Sequence, residues 1–202
     1  MELLPTLKKS AAALERAQVP YMLGGSLACW ARGGPAVAGD LDFMVKPVDA
    51  ERALAALVGI GMREERPPED WLLKAWDGDH MVDLIFEGAG LPITDEVFAR
   101  ADQLDVAAMR IPVMALEDVM TTKLMALSEH ALRYESLLQI ARALREQIAW
   151  DAVRDRTAGS PFARAFFVLA EGLDILPGAP AAAHEPHVRV ITGQGSSPDR
   201  AG

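Results

Sequence analysis

The sequence predicts an α/β chain of the α+β kind, with a small mixed β-sheet flanked by helices and a helical lobe after it. Three observations carry this expectation. Short apolar runs bounded by glycine or aspartate turns alternate with helical periodicities up to about residue 115. One Asp-Gly dipeptide sits between two strand-like runs. From Leu116 onward the only periodicity is helical. With 202 residues the chain is about one domain long. We divide it into a sheet-bearing core at 1–115, a helical lobe at 116–176 and a tail at 177–202. The tail holds four prolines and four glycines, lacks periodicity and reads as disordered.

Taken in order, Leu4, Leu7, Ala11, Leu14 and Ala17 recur at helical spacing, so the chain opens on an amphipathic helix ending before Pro20. Tyr21-Met22-Leu23 reads as a strand, Gly24-Gly25-Ser26 as a turn and Leu27 to Arg32 as a helix. After a glycine-containing loop, Asp40 to Val45 alternates polar with apolar residues, the pattern of a strand with one buried face. Ala53, Leu54, Leu57, Val58 and Ile60 mark the next helix. Trp71 to Trp76 and Asp79 to Phe86 flank Asp77-Gly78 and should pair as a hairpin, with 76 opposite 79, 74 opposite 81 and 72 opposite 83. Thr94 to Ala101 shows no clear pattern, whereas Met109 to Met114 reads as a strand. Helices follow at about Leu116 to His130, Leu132 to Ile148 and near Asp151. A last one opens at Ser160-Pro161, where a serine N-cap precedes proline in the first helical position, and closes at Gly172.

Composition narrows the function classes. No apolar stretch reaches the roughly 18 residues of a membrane span, and the N-terminus lacks the charge and apolar pattern of a signal peptide. Cys29 is the only cysteine, so no internal disulfide forms, and the expectation is a cytoplasmic protein without a zinc signature. The net charge of −9 is concentrated in residues 1–120, with 20 acids against 11 bases. Such a chain is a poor general nucleic-acid binder, because phosphate contacts normally supply that affinity.

A strand ending in Gly-Gly-Ser before a helix lets backbone N–H groups approach an anion with no Cβ in the way, and the helix start favours negative charge. In Asp40-Leu41-Asp42 the strand period of two places both carboxylates on one face. Converging carboxylates suit Mg²⁺, a cation that commonly shares oxygen ligands with substrate phosphates. Asp83 lies in a strand expected to be buried, where a lone carboxylate is costly without a cation or partner. Gly24-Gly25-Ser26, then 13 residues, then Asp40-Leu41-Asp42, then a strand-borne Asp83, together resemble the minimal nucleotidyltransferase core of the DNA polymerase β superfamily. The resemblance covers about residues 19 to 90. It implies that Gly24, Gly25 and Ser26 hold the nucleotide triphosphate and that Asp40 and Asp42 ligate Mg²⁺. Asp83 is then either the third ligand or the base for the attacking hydroxyl, and two ions are expected.

Lys123 falls between Val119, Met120 and Leu127, inside the apolar stripe of its helix, where a lysine needs a reason: a contact to nucleotide phosphates, or simple snorkelling. The segment from Ile111 to Leu127 resembles the strand–helix junction of AbiEii-type nucleotidyltransferases, a group that includes toxins of toxin–antitoxin systems. That resemblance implies support of the site by Lys123 and by Glu135, although Arg133-Tyr134-Glu135 stands where the group usually has a basic residue next to aspartate. Lys74, on the same hairpin face as Asp83, is a candidate charge partner of the acids. Arg142, Arg145, Arg154 and Arg156 either line a groove for a polyanion or form a solvated face. The four tryptophans read as core or interface residues. The expected reaction transfers a nucleoside monophosphate from an NTP to an acceptor hydroxyl and releases pyrophosphate. Family resemblance favours an RNA or tRNA 3′ end, with an antitoxin protein as partner, while the acidity favours a small hydroxylated molecule. A non-catalytic nucleotide- or partner-binding relative is the reading of another class.

Overall fold

The computed structural model of the chain describes residues 3–35 and 39–177. The expected tail therefore lies, apart from Pro177, outside the described residues. A seven-stranded sheet runs in the order β3-β4-β5-β2-β1-β9-β8. Its strands are β1 (Tyr21–Leu23), β2 (Leu41–Val45), β3 (Arg63–Glu65), β4 (Leu72–Asp77), β5 (His80–Ile85), β8 (Asp102–Val106) and β9 (Met109–Val113). A separate two-stranded ribbon, β6 (Glu87–Gly88) with β7 (Leu91–Pro92), follows β5. The sheet is mixed as expected, for β2 lies parallel to β5 and β1 parallel to β9, while the remaining pairs are antiparallel.

The helices are α1 (Leu3–Arg16), α2 (Gly25–Trp30), α3 (Ala50–Val58), α4 (Asp95–Ala99), α5 (Leu116–Met125), α6 (Tyr134–Leu144), α7 (Trp150–Thr157) and α8 (Pro161–Gly172). Helix α1 packs on α3, and α3 packs on β4 and β5; α2 packs on β2 and α5. Helix α8 opens as its sequence dictates, with Ser160 Oγ accepting from the Ala163 amide at 3.2 Å. Both α5 and α6 are shorter than their periodicity suggests, because Ala126 to Arg133 forms a turn region with one isolated β-bridge. A single apolar cluster extends from Leu3 to Leu176 and includes Leu23, Phe43, Leu84, Val119 and Phe166. No helix among the described residues is long and apolar enough to cross a membrane.

Two differences from the expected elements bear on the site. The β4–β5 hairpin turns on Gly78 and Asp79 rather than on Asp77 and Gly78, so Asp77 pairs with His80 and Lys74 with Asp83. Gly78, at the first central position, takes φ +62°, the backbone that only glycine adopts freely. Lys74 thus keeps its expected face but stands directly opposite Asp83, two residues from the partner predicted. Strand β3, which carried no apolar alternation, pairs along β4 with Glu65 opposite Lys74.

Candidate active site

One row of residues crosses the sheet. The β3–β4 pairing sets Glu65 opposite Lys74, the β4–β5 pairing sets Lys74 opposite Asp83, and the parallel β5–β2 pairing sets Asp83 opposite Asp42. Residues directly opposite one another share a face of the sheet, so four charged side chains project on the same side. Leu41 and Phe43, on the other face of β2, are fully buried and hold the strand down. The row continues into the turn after β1, where the Gly24 amide donates to the Asp42 carbonyl at 2.8 Å.

That turn is shaped by Gly25, whose φ is +54°. A Cβ at this position would lie 1.7 Å from Asp42 Oδ2, so both the backbone conformation and the space demand glycine. The amides in the first turn of α2 have no intrahelical partner, and this turn starts at Gly25, which packs against the Asp42 carboxylate. Ser26 lies in this first turn, and Lys123 of α5 reaches it from 97 positions away, Nζ donating to Ser26 Oγ at 3.1 Å. The lysine placed in the apolar stripe of its helix is therefore directed at the glycine–serine turn. Cys29, one turn further along α2, has its thiol pushed up to about 11 by burial and stays a neutral filler.

Burial pushes the Asp42 carboxyl up to about 6; the charge of Lys123 pulls the other way, and Asp83 and Asp40 add to the rise. Among the described residues this carboxylate has no hydrogen-bonding or ion-pairing side-chain partner. Asp83 is also raised, first by burial, although its oxygen Oδ1 accepts from Lys74 Nζ at 2.8 Å. Asp40 is exposed just before β2, and its charge acts on both other acids. Crowded, undercompensated carboxylates with only oxygen donors are the chemistry of a hard-cation site, so the residues present fit Mg²⁺. As they stand, no group of three or more His, Cys, Asp or Glu side chains among the described residues is clustered closely enough to enclose an ion.

Of the expected site residues, Gly24, Gly25, Ser26, Asp42, Asp83, Lys74 and Lys123 come together and Asp40 borders them. Glu135 is on the exposed first turn of α6, with Gln139 as its side-chain partner at 3.4 Å. Three of the four arginines considered for a groove are held in ion pairs: Arg145 with Glu146, Arg154 with Glu171 and Arg156 with the fully buried Asp118. Glu65 is the site neighbour that the sequence did not reveal; Trp76 Nε1 donates to its Oε2 at 2.8 Å. Of the other tryptophans, Trp30 and Trp150 pack on the core and Trp71 is 40% exposed.

Solved structures with the same fold include ANT(2″)-Ia in complex with adenylyl-2″-tobramycin. It is 16% identical with a TM-score of 0.62, the match covering 82% of this chain and 99% of that one. The solution structure of the antibiotic-resistance factor ANT(2″)-Ia is similar at 16% identity and a TM-score of 0.58, covering 86% and 97%. No curated protein matches at the level of sequence. Residues 11–171, which span the whole row from the Gly24 turn to Lys123 and the helices beyond it, match the family described as uncharacterised nucleotidyltransferase, and the chain belongs to that family.

Proposed function

We propose that this nucleotidyltransferase moves a nucleoside monophosphate from an NTP to the hydroxyl of a small molecule, with Mg²⁺ bound by Asp40, Asp42 and Asp83. The observation that carries the reading is the in-register pair Asp42–Asp83 beside a glycine–serine turn that Lys123 reaches. Mg²⁺ held there would neutralise the phosphates and stabilise charge on the attacking and leaving oxygens. The chain's own residues do the positioning. The Gly25–Ser26 amides and Lys123 hold the polyphosphate, while Gly25 keeps the turn in contact with Asp42. Asp83 either completes the ligand set or, where Asp40 and Asp42 alone hold the ion, takes the proton that the hydroxyl loses when the new O–P bond forms and pyrophosphate departs.

A small acceptor is favoured by charge. The chain is strongly acidic, and of the four arginines considered for a groove Arg145, Arg154 and Arg156 are engaged in ion pairs within the protein, which leaves Arg142 alone of that set to hold a polyanion. The test is incubation with each α-labelled NTP and Mg²⁺, offering total RNA or a panel of hydroxylated small molecules. Tobramycin, found adenylylated in the ANT(2″)-Ia complex, heads that panel. Label on a small molecule with wild type but not with Asp40→Ala/Asp42→Ala supports the proposal. Label entering RNA instead would favour the AbiEii-type reading with its toxin–antitoxin context. Nucleotide binding without transfer to any acceptor would favour a binding relative.

A further inference from the structure

Lys74 is the one cation within the row of carboxylates. It stands opposite Glu65 on one side and Asp83 on the other, and its ammonium donates to Asp83 Oδ1 at 2.8 Å. The pair is largely out of solvent, with side-chain exposures of 17% and 13%. A positive charge within hydrogen-bonding distance of a carboxylate does part of what a bound cation does. It relieves repulsion among Asp40, Asp42 and Asp83, and it takes one of the oxygens that a metal would use. With three carboxylates the centre repels a triphosphate; with Lys74 beside them and Lys123 on Ser26 the net charge facing that polyanion is much smaller.

Resting on the reading above, we propose that Lys74 is a positioning residue whose ammonium stands in for a cation on Asp83, so that the centre binds divalent metal weakly alone and tightly only together with the nucleotide. A metal bound together with the triphosphate would gain phosphate ligands and negative charge, so that Lys74 would no longer oppose its entry. The ammonium is then free to face the phosphates or Glu65. Removing the charge inverts the preference: metal alone binds more tightly, because a competitor for Asp83 is gone, and nucleotide binds less tightly, because a compensating charge is gone.

The experiment titrates Mn²⁺ into the full chain by electron paramagnetic resonance at pH 8. It is done with and without the α,β-methylene analogue of the NTP used in transfer, for wild type, Lys74→Gln, Lys74→Arg and Asp42→Asn. Glutamine keeps a donor for Asp83 and removes only the charge. We expect Lys74→Gln to bind Mn²⁺ alone about tenfold more tightly and the analogue about tenfold more weakly, the scale of one unit charge a few ångströms away in a polar site. Lys74→Arg should behave as wild type. In wild type alone, the analogue should tighten Mn²⁺ binding about tenfold or more, a readout that needs no variant to fold. Unchanged affinities in Lys74→Gln with only a lowered melting temperature, or no coupling of metal to nucleotide in wild type, would overturn the proposal while leaving the nucleotidyl-transfer reading intact. Wild-type Mn²⁺ binding that Asp42→Asn does not weaken would overturn both.

Discussion

Asp42 is held where ionisation is difficult, and the cost has a sign that can be measured. Its carboxyl titrates near 3.8 when unfolded and near 6 when folded, chiefly because of burial. A raised pKa means that the folded state binds the proton more tightly. Its contribution to stability is thus fully present below pH 4 and is lost as pH climbs through 6. At pH 7.5, in chelator, the charge costs the fold about 2–3 kcal/mol. Asp42→Asn should therefore melt higher than wild type at pH 7.5, lose this advantage near pH 4, and fail to transfer nucleotide; an Asn variant that is destabilised at neutral pH would contradict the assignment. Gly25→Ala makes the opposite kind of test. Its Cβ would stand 1.7 Å from Asp42 Oδ2 at a φ of +54°, so we expect a loss of about 2 kcal/mol in denaturant titration together with loss of transfer. Full activity in this variant would exclude the turn from the site. The candidate residues stand out in the sequence because each breaks a local rule: glycines at the end of a strand, acids in an apolar strand, a lysine in an apolar stripe. Glu65 breaks none, since Arg63-Glu64-Glu65 looks like any solvated run.

At the scale of elements, the hairpins show what sequence conveys and what it withholds. The β4–β5 hairpin was visible through Asp77-Gly78, but a two-residue turn can centre on either side of that glycine, and only strand pairing decides which residue faces Asp83. The β8–β9 hairpin gave no such signal. It turns on Ala107 and Ala108, both in the left-handed region at φ 52° and 61°, with Val106 paired to Met109. That is the type I′ geometry, for which Asn-Gly is the usual dipeptide, so an Ala-Ala turn is invisible to sequence rules and strained in the fold. Strand β9 nonetheless pairs with β1, the strand that delivers the glycine turn. We expect Ala107→Asn/Ala108→Gly to raise stability by about 1 kcal/mol in urea titration with nucleotidyl transfer unchanged. A destabilised double variant would mean that the strand pairing, rather than the turn, sets the local energy.

Across the whole molecule, the sheet-bearing and helical parts are joined by charge as well as by apolar packing. Asp118, in the first turn of α5, is fully buried and takes two hydrogen bonds from Arg100 at the end of α4, at 3.0 and 3.1 Å, and one from Arg156 of α7 at 2.6 Å. Glu117 beside it accepts from the Ala149 amide at the start of α7, at 2.8 Å. The sequence boundary at residue 115 is the residue before α5, yet α5 carries Lys123 into the glycine–serine turn, and one apolar cluster spans both sides. Periodicity separated the two parts because it reads each helix alone; the contacts that join them are between residues far apart in sequence, which no local pattern reports. A shared core with a shared buried ion network predicts one cooperative unfolding transition, with calorimetric and van't Hoff enthalpies equal. Asp118→Asn leaves two guanidinium groups facing a neutral amide. Because both remain more than a third exposed, the loss should fall below that of a fully buried pair, at about 2–3 kcal/mol. The single transition should move to lower temperature without dividing. Two resolved transitions in scanning calorimetry, in either protein, would show that α5 is coupled to the helices more than to the sheet, and that Lys123 reaches Ser26 from an independently folding part.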